Sequence, residues 1–121
     1  MSQTYDKTHA VTVILTAPVA ARRFVSYAGA HATSAGGEAD AQGVSETAGE
    51  TGEAISVITG YSALVEASAA IAAGAFVKPA SDGTGRAVAG ASNETSGRAL
   101  TAAAAAGDVI EVELYRHVHA A

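Results

Sequence analysis

Four histidines, His9, His31, His117 and His119, are the first candidates for chemistry in this chain of 121 residues. His117 and His119 share a face if the last strand runs through them, and two such imidazoles can bind zinc or nickel. No third ligand stands near them, so they are read as surface histidines close to the chain end. Glu111 and Glu113 also alternate, and paired carboxylates can do acid–base work. On an exposed strand face they would instead keep a sheet soluble. Gly60-Tyr-Ser-Ala-Leu64 comes closest to a GxSxG nucleophile elbow and lacks its second glycine. A phosphate loop GxxxxGK[ST] is missing, because the lysines, Lys7 and Lys78, follow Asp and Val. With no cysteine, thiolate nucleophiles and Cys-ligated zinc are excluded. These residues predict no enzyme, no cofactor and no metal.

The elements that would position any site are strands. Val and Ile outnumber Leu, and Thr adds to the β-branched total. His9–Thr16 reads as a strand with Val11, Val13 and Leu15 on one face. Arg22–Tyr27, Ala54–Thr59, a short strand from Phe76-Val77, and Arg86–Ala89 follow. Asp108–Tyr115 is the clearest: Ile110, Val112 and Leu114 alternate with Val109, Glu111, Glu113 and Tyr115. Ser62–Ala75 and Arg98–Ala106 are alanine-rich, and alanine favours helix. Their length supports a turn or two of helix at most, or alanine-lined strands and loops.

The apolar fraction of 49% overstates the core, since 31 residues are Ala. Val, Ile, Leu and Phe together make 23. A core this thin predicts a single domain stabilised partly by contacts with copies of itself or a partner. No apolar run is long enough to span a bilayer as a helix, and the polar start MSQTYDKTHA has no signal core, so neither membrane nor secretion is expected. A pI near 5.2 argues against nucleic acid as a partner. Charge is uneven: Lys7, Arg22 and Arg23 sit near the front, and residues 24–77 hold only acids, Glu38, Asp40, Glu46, Glu50, Glu53 and Glu66. The acidic middle is read as a solvated loop or as a complementary docking surface.

The chain also repeats itself. Phe24-Val25, Gly37-Glu-Ala39, Gly43-Val44 and Gly52-Glu-Ala-Ile-Ser-Val57 are followed by Phe76-Val77, Gly85-Arg-Ala87, Gly97-Arg98 and Gly107-Asp-Val-Ile-Glu-Val112. Each series reads strand, turn, strand, turn, strand. The expected fold is therefore mainly β: a small β-sandwich or barrel built from two similar β-units, with at most one or two short helical turns. Residues 1–8 are expected to form a flexible arm and residues 9–121 a single β domain.

Val65-Glu-Ala-Ser-Ala-Ala-Ile-Ala-Ala-Gly-Ala-Phe-Val77, Asp82-Gly83, Gly85-Arg-Ala87, Gly97-Arg-Ala-Leu100 and Ala105-Ala-Gly-Asp-Val-Ile-Glu-Val-Glu-Leu114 stand in a telling order. They resemble the small capsid decoration (cement) proteins of tailed bacteriophages, a group often mislabelled as RecA/RadA-like recombinases. The likeness runs over about residues 36–115; residues 1–23 are longer and more polar than its pattern. It implies a non-enzymatic virion protein, made in the host cytoplasm and bound outside the head to the major capsid protein. It also implies a homotrimer. Tyr5 and Lys7 of the arm, and Arg22 and Arg23, become the candidates for capsid or subunit contact. The arginine pair has a second reading, as charges that flank a strand against aggregation. Two other functions remain open: a small-ligand or carbohydrate-binding β module, which the scarcity of aromatics disfavours, and a head-fibre or tail-associated structural protein.

Overall fold

β-branched residues set the backbone, and the chain alternates them with small residues that let strands approach closely. The structure, a computed structural model, describes residues 7–33, 41–90 and 95–114, with side chains from residue 9 onward. It contains β1 (Lys7–Ile14), β2 (Phe24–Val25), β3 (Gly43–Ser45), β4 (Ala54–Glu66), β5 (Phe76–Pro79), β6 (Ala87–Ala89), β7 (Gly97–Ala99) and β8 (Val109–Leu114). Among the described residues there is no helix. The strands run in the order β2-β3-β4-β8-β7-β5-β6, with β1 beside β4, and every named pairing is antiparallel. The sheet curls into a nearly closed barrel.

β4 organises the molecule. Its first half pairs with β1 and β3, and its second half with β8. The two halves serve two units built to one register. Phe24 faces Val44 and Val25 faces Gly43, as Phe76 faces Arg98 and Val77 faces Gly97. Val11, Val13 and Ile14 oppose Val57, Ile55 and Ala54, as Ala63, Val65 and Glu66 oppose Val112, Ile110 and Val109. Each unit closes with a matching bond: Thr16 N–H donates to Gly29 O at 3.0 Å, and Ser68 N–H to Ala87 O at 2.8 Å.

The matched acid after each closing glycine has a local cause. Gly52 and Gly107 adopt φ of 87° and 93°, which glycine takes without a Cβ penalty. The acid that follows then closes the turn. Glu53 Oε1 accepts the Glu50 N–H at 2.6 Å, and Asp108 Oδ2 accepts the Ala105 N–H at 3.2 Å.

Each unit has its own core. Leu15, Val19, Val25, Ile55 and Val57 form one. Ala67, Ile71, Val77, Ile110 and Val112 hold the corresponding places in the other. Phe24, Ala32, Val44 and Ile58 also belong to the second cluster and join the units. Sharing these apolar side chains with the second cluster enlarges the buried core of a chain with few large residues, while the first cluster stays separate.

Several expectations change in detail. The second strand is shorter than Arg22–Tyr27, because Arg22 turns the chain and Tyr27 lies in a turn. The alanine-rich segment from Ser62 continues β4 to Glu66 and then passes through bridges and turns; sheet pairing overrides the helix preference of alanine. Lys7 and Thr8, expected in the arm, already belong to β1. Gly37–Ala39, matched to Gly85–Ala87 by sequence, lie outside the described residues. His31 bridges Val25 where Ala89 pairs with Val77, so the first unit's counterpart of β6 precedes residue 37.

Candidate interaction surface

The four contact candidates occupy different settings. Tyr5 lies outside the described residues, and Lys7 opens β1 opposite Tyr61. Arg22 is exposed and stands at φ 61°. Arg23, its neighbour, turns inward with 14% of its side chain accessible.

The Arg23 guanidinium holds the two units together. One nitrogen donates to Thr84 O at 2.9 Å, and the other reaches Glu66 Oε1 at 3.3 Å. Glu66 Oε2 lies 2.9 Å from Arg86 Nε. One carboxylate thus lies between two guanidiniums from separate parts of the chain, with a charge-assisted hydrogen bond from Arg23 and an ion pair with Arg86, whose Nε makes no hydrogen bond among the described residues. The backbone repeats the join: Phe24 N–H donates to Gly85 O at 2.7 Å, and Glu66 N–H to Arg22 O at 2.9 Å. Glu66→Ala leaves two cations facing each other and is expected to destabilise the fold by about 2 kcal/mol. A denaturant titration checks this, and Glu46→Ala, which removes a carboxylate bonded to Ser56 at 2.7 Å, should cost less.

His31 packs beside this cluster. Its Nε2 accepts the Ala20 N–H at 3.0 Å, so the bond requires a neutral ring nitrogen there. Burial, then the charge of Arg23, hold its pKa below 6.5, partly opposed by a hydrogen bond to the Gly83 backbone. The unfolded chain therefore takes up a proton that the folded one resists. Stability is expected to be undiminished above pH 6.5 and to fall as pH drops from there through the folded value. Melting temperatures across pH 8 to pH 5 test this, with His31→Gln showing a smaller decline.

The acidic middle is only partly withdrawn from solvent: Glu50 and Glu53 are exposed, Glu46 and Glu66 half-buried. Glu46, Glu53 and Glu66 all accept hydrogen bonds or pair with arginine, while Glu38 and Asp40 lie outside the described residues. Glu111 is half-buried rather than free on a wet face, and accepts the Ser62 hydroxyl at 2.8 Å. His9 lies 2.7 Å from Thr59 Oγ1 through Nδ1. His117 and His119 lie outside the described residues. Among the described residues no three His, Cys, Asp or Glu side chains are grouped to hold a metal.

The surface open to a partner is mixed: Glu50, Glu53, Asp82 and Asp108 are exposed, as are Arg22, Arg98 and several large apolar side chains. Ile14, Tyr27, Tyr61 and Leu100 are 61%, 64%, 46% and 40% exposed. Alternation from Val11 and Val13 already placed Ile14 outward; nothing in the sequence singled out the other three. A half-open cavity of about 520 Å³ is lined by His9, Val11, Phe24, Tyr27, Gln42 and Leu114, among others. Arg98 stacks on Phe76, 4.7 Å from the ring centre, and donates to Gly74 O at 2.8 Å.

The model of a family described as phage cement protein matches residues 3–114. That span includes the front segment, which had looked outside the family pattern. Among solved structures, the N base of head fiber gp8.5 of bacteriophage phi29 matches with a TM-score of 0.71 and 18% identity. The match covers 93% of this chain and 98% of the other. At that identity the likeness is one of fold. Among curated proteins none matches the sequence.

Proposed function

Since the chain belongs to the phage cement protein family, we propose that it binds the outer surface of the major capsid protein and stabilises the head. It is a structural phage protein associated with the capsid; the shell partner, the outer-surface location and a homotrimeric state are the parts proposed. The family match over residues 3–114 carries the reading. The physics of the chain supports it. A short chain with a thin, alanine-rich core gains stability from assembly. Its small side chains have little rotamer entropy to lose at an interface. Such a protein needs no catalytic centre. Its work is to bridge capsomers and to add contact energy at each one.

A second reading follows from the fold it shares with a head-fibre base: a few copies anchoring a fibre to the head. Quantitative mass spectrometry of purified virions separates the two. A copy number comparable to the major capsid protein is expected. A handful per particle would favour the fibre base, and absence from particles would overturn both.

A further inference from the structure

Arg22 stands out because the fold contains its own control. Among the described residues it is the one non-glycine with positive φ, at 61°. Side chains other than glycine, asparagine and aspartate rarely adopt that region, and residues held there cluster at functional sites. The other unit fills the same place with glycine. Arg22 N–H donates to Ser45 O at 2.9 Å, as Gly74 N–H donates to Ala99 O at 2.7 Å. Gly74 has φ 86°, and a Cβ there would meet nothing within 4 Å. The turn therefore asks for a left-handed residue and leaves room for a side chain, but does not ask for arginine.

Nor does the arginine serve the fold by a polar contact. Its side chain is exposed, and its guanidinium makes no hydrogen bond or ion pair among the described residues. Arg23, one residue on, carries the internal bonds instead. Arg22 also borders a shallow depression lined by Ser45, Glu46, Ile58 and Leu64. That lining is half polar, with the Glu46 carboxylate and Ser45 beside Ile58 and Leu64, and an exposed arginine is among the residues enriched where protein interfaces concentrate their binding energy.

We propose that Arg22 is a contact residue of the capsid-facing surface, and that its guanidinium engages a carboxylate of the shell protein in a bidentate pair. This rests on the cement reading. It divides the Arg22-Arg23 pair: Arg23 joins the two units within the chain, and Arg22 reaches outward. A planar fork matches a carboxylate in a way lysine does not, so the partner surface is acidic at this point.

The test uses the full chain and purified heads lacking it, with bound protein read by co-sedimentation over a concentration series. Arg22→Gly restores the residue used by the other unit. It is expected to melt at or up to about 4 °C above the parent, yet to bind heads at least about tenfold more weakly. Arg22→Asn, also tolerated at positive φ, should behave likewise. Arg22→Lys should fall between, and Arg22→Glu should bind most weakly of all. Parent-like binding by Arg22→Gly and Arg22→Glu would overturn the assignment while leaving the cement function standing. A loss of binding matched by a loss of melting temperature in both the Gly and Asn variants would also overturn it, since the role would then be structural. Failure of the parent chain to bind heads would overturn the cement reading, and this assignment with it.

Discussion

Replacing Val112 with aspartate should unfold the protein. Val112 and Ile110 are fully buried, and both sit in the core of the second unit. A carboxylate there has neither water nor a cation to offset its desolvation, and the expected cost is at least about 3 kcal/mol. A domain of this size has a total stability of only about 5–15 kcal/mol, and this core is thin. Val57→Asp should have an equal effect, because Val57 is also fully buried and faces Val11 as Val112 faces Ala63. Far-UV circular dichroism and thermal melts read the result. An unchanged melting curve for either variant would mean that its unit does not pack as described.

Gly43→Ala and Gly97→Ala should be nearly as damaging, for a different reason. Neither glycine is needed for an unusual φ. Each lies where a neighbouring strand passes across its α-carbon. A Cβ at Gly43 would meet the Ile58 carbonyl oxygen and lie 2.8 Å from Val57 Cγ1. One at Gly97 would meet the Glu113 carbonyl oxygen and lie 2.7 Å from Val112 Cγ1. The obstacle is mainly backbone in a paired strand, which cannot move without breaking its ladder. The expected cost is roughly 3 kcal/mol, or a fall of roughly 10 °C in Tm. Gly52→Ala makes the contrast: φ is 87° but nothing lies within 4 Å, so only backbone strain opposes it, at about 1 kcal/mol. If all three substitutions cost the same, close strand approach is not what selects glycine at residues 43 and 97.

That pair of glycines shows what could be read in advance. Phe24-Val25 with Gly43-Val44, and Phe76-Val77 with Gly97-Arg98, recur in sequence because the same steric requirement recurs in space. The closing blocks from Gly52 and Gly107 recur because each needs a left-handed turn and an acid to close it. Alternation alone placed Ile110 and Val112 inside. The short strands β3 and β7 were visible only through the repeat, since three residues carry too little periodicity. The length of β4 was hidden by its alanines, which favour helix locally but here fill a crowded sheet. The surface was harder to read. Neighbouring arginines look alike in sequence, and only the three-dimensional positions of Glu66 and Thr84 separate Arg23 from Arg22. Likewise, Glu46 and Glu66 read as solvated charge until the strands bring Ser56, Arg23 and Arg86 to them, whereas Glu50 and Glu53 stay exposed.

The central claim is that this protein reinforces a phage head by binding its shell. The most direct measurement is the disruption temperature of purified heads lacking the protein, with and without the added full chain, with bound copies counted at saturation. The account predicts saturable binding at a copy number comparable to the shell protein, together with a higher disruption temperature. Heads that neither bind the protein at saturating concentration nor gain stability from it would contradict the account.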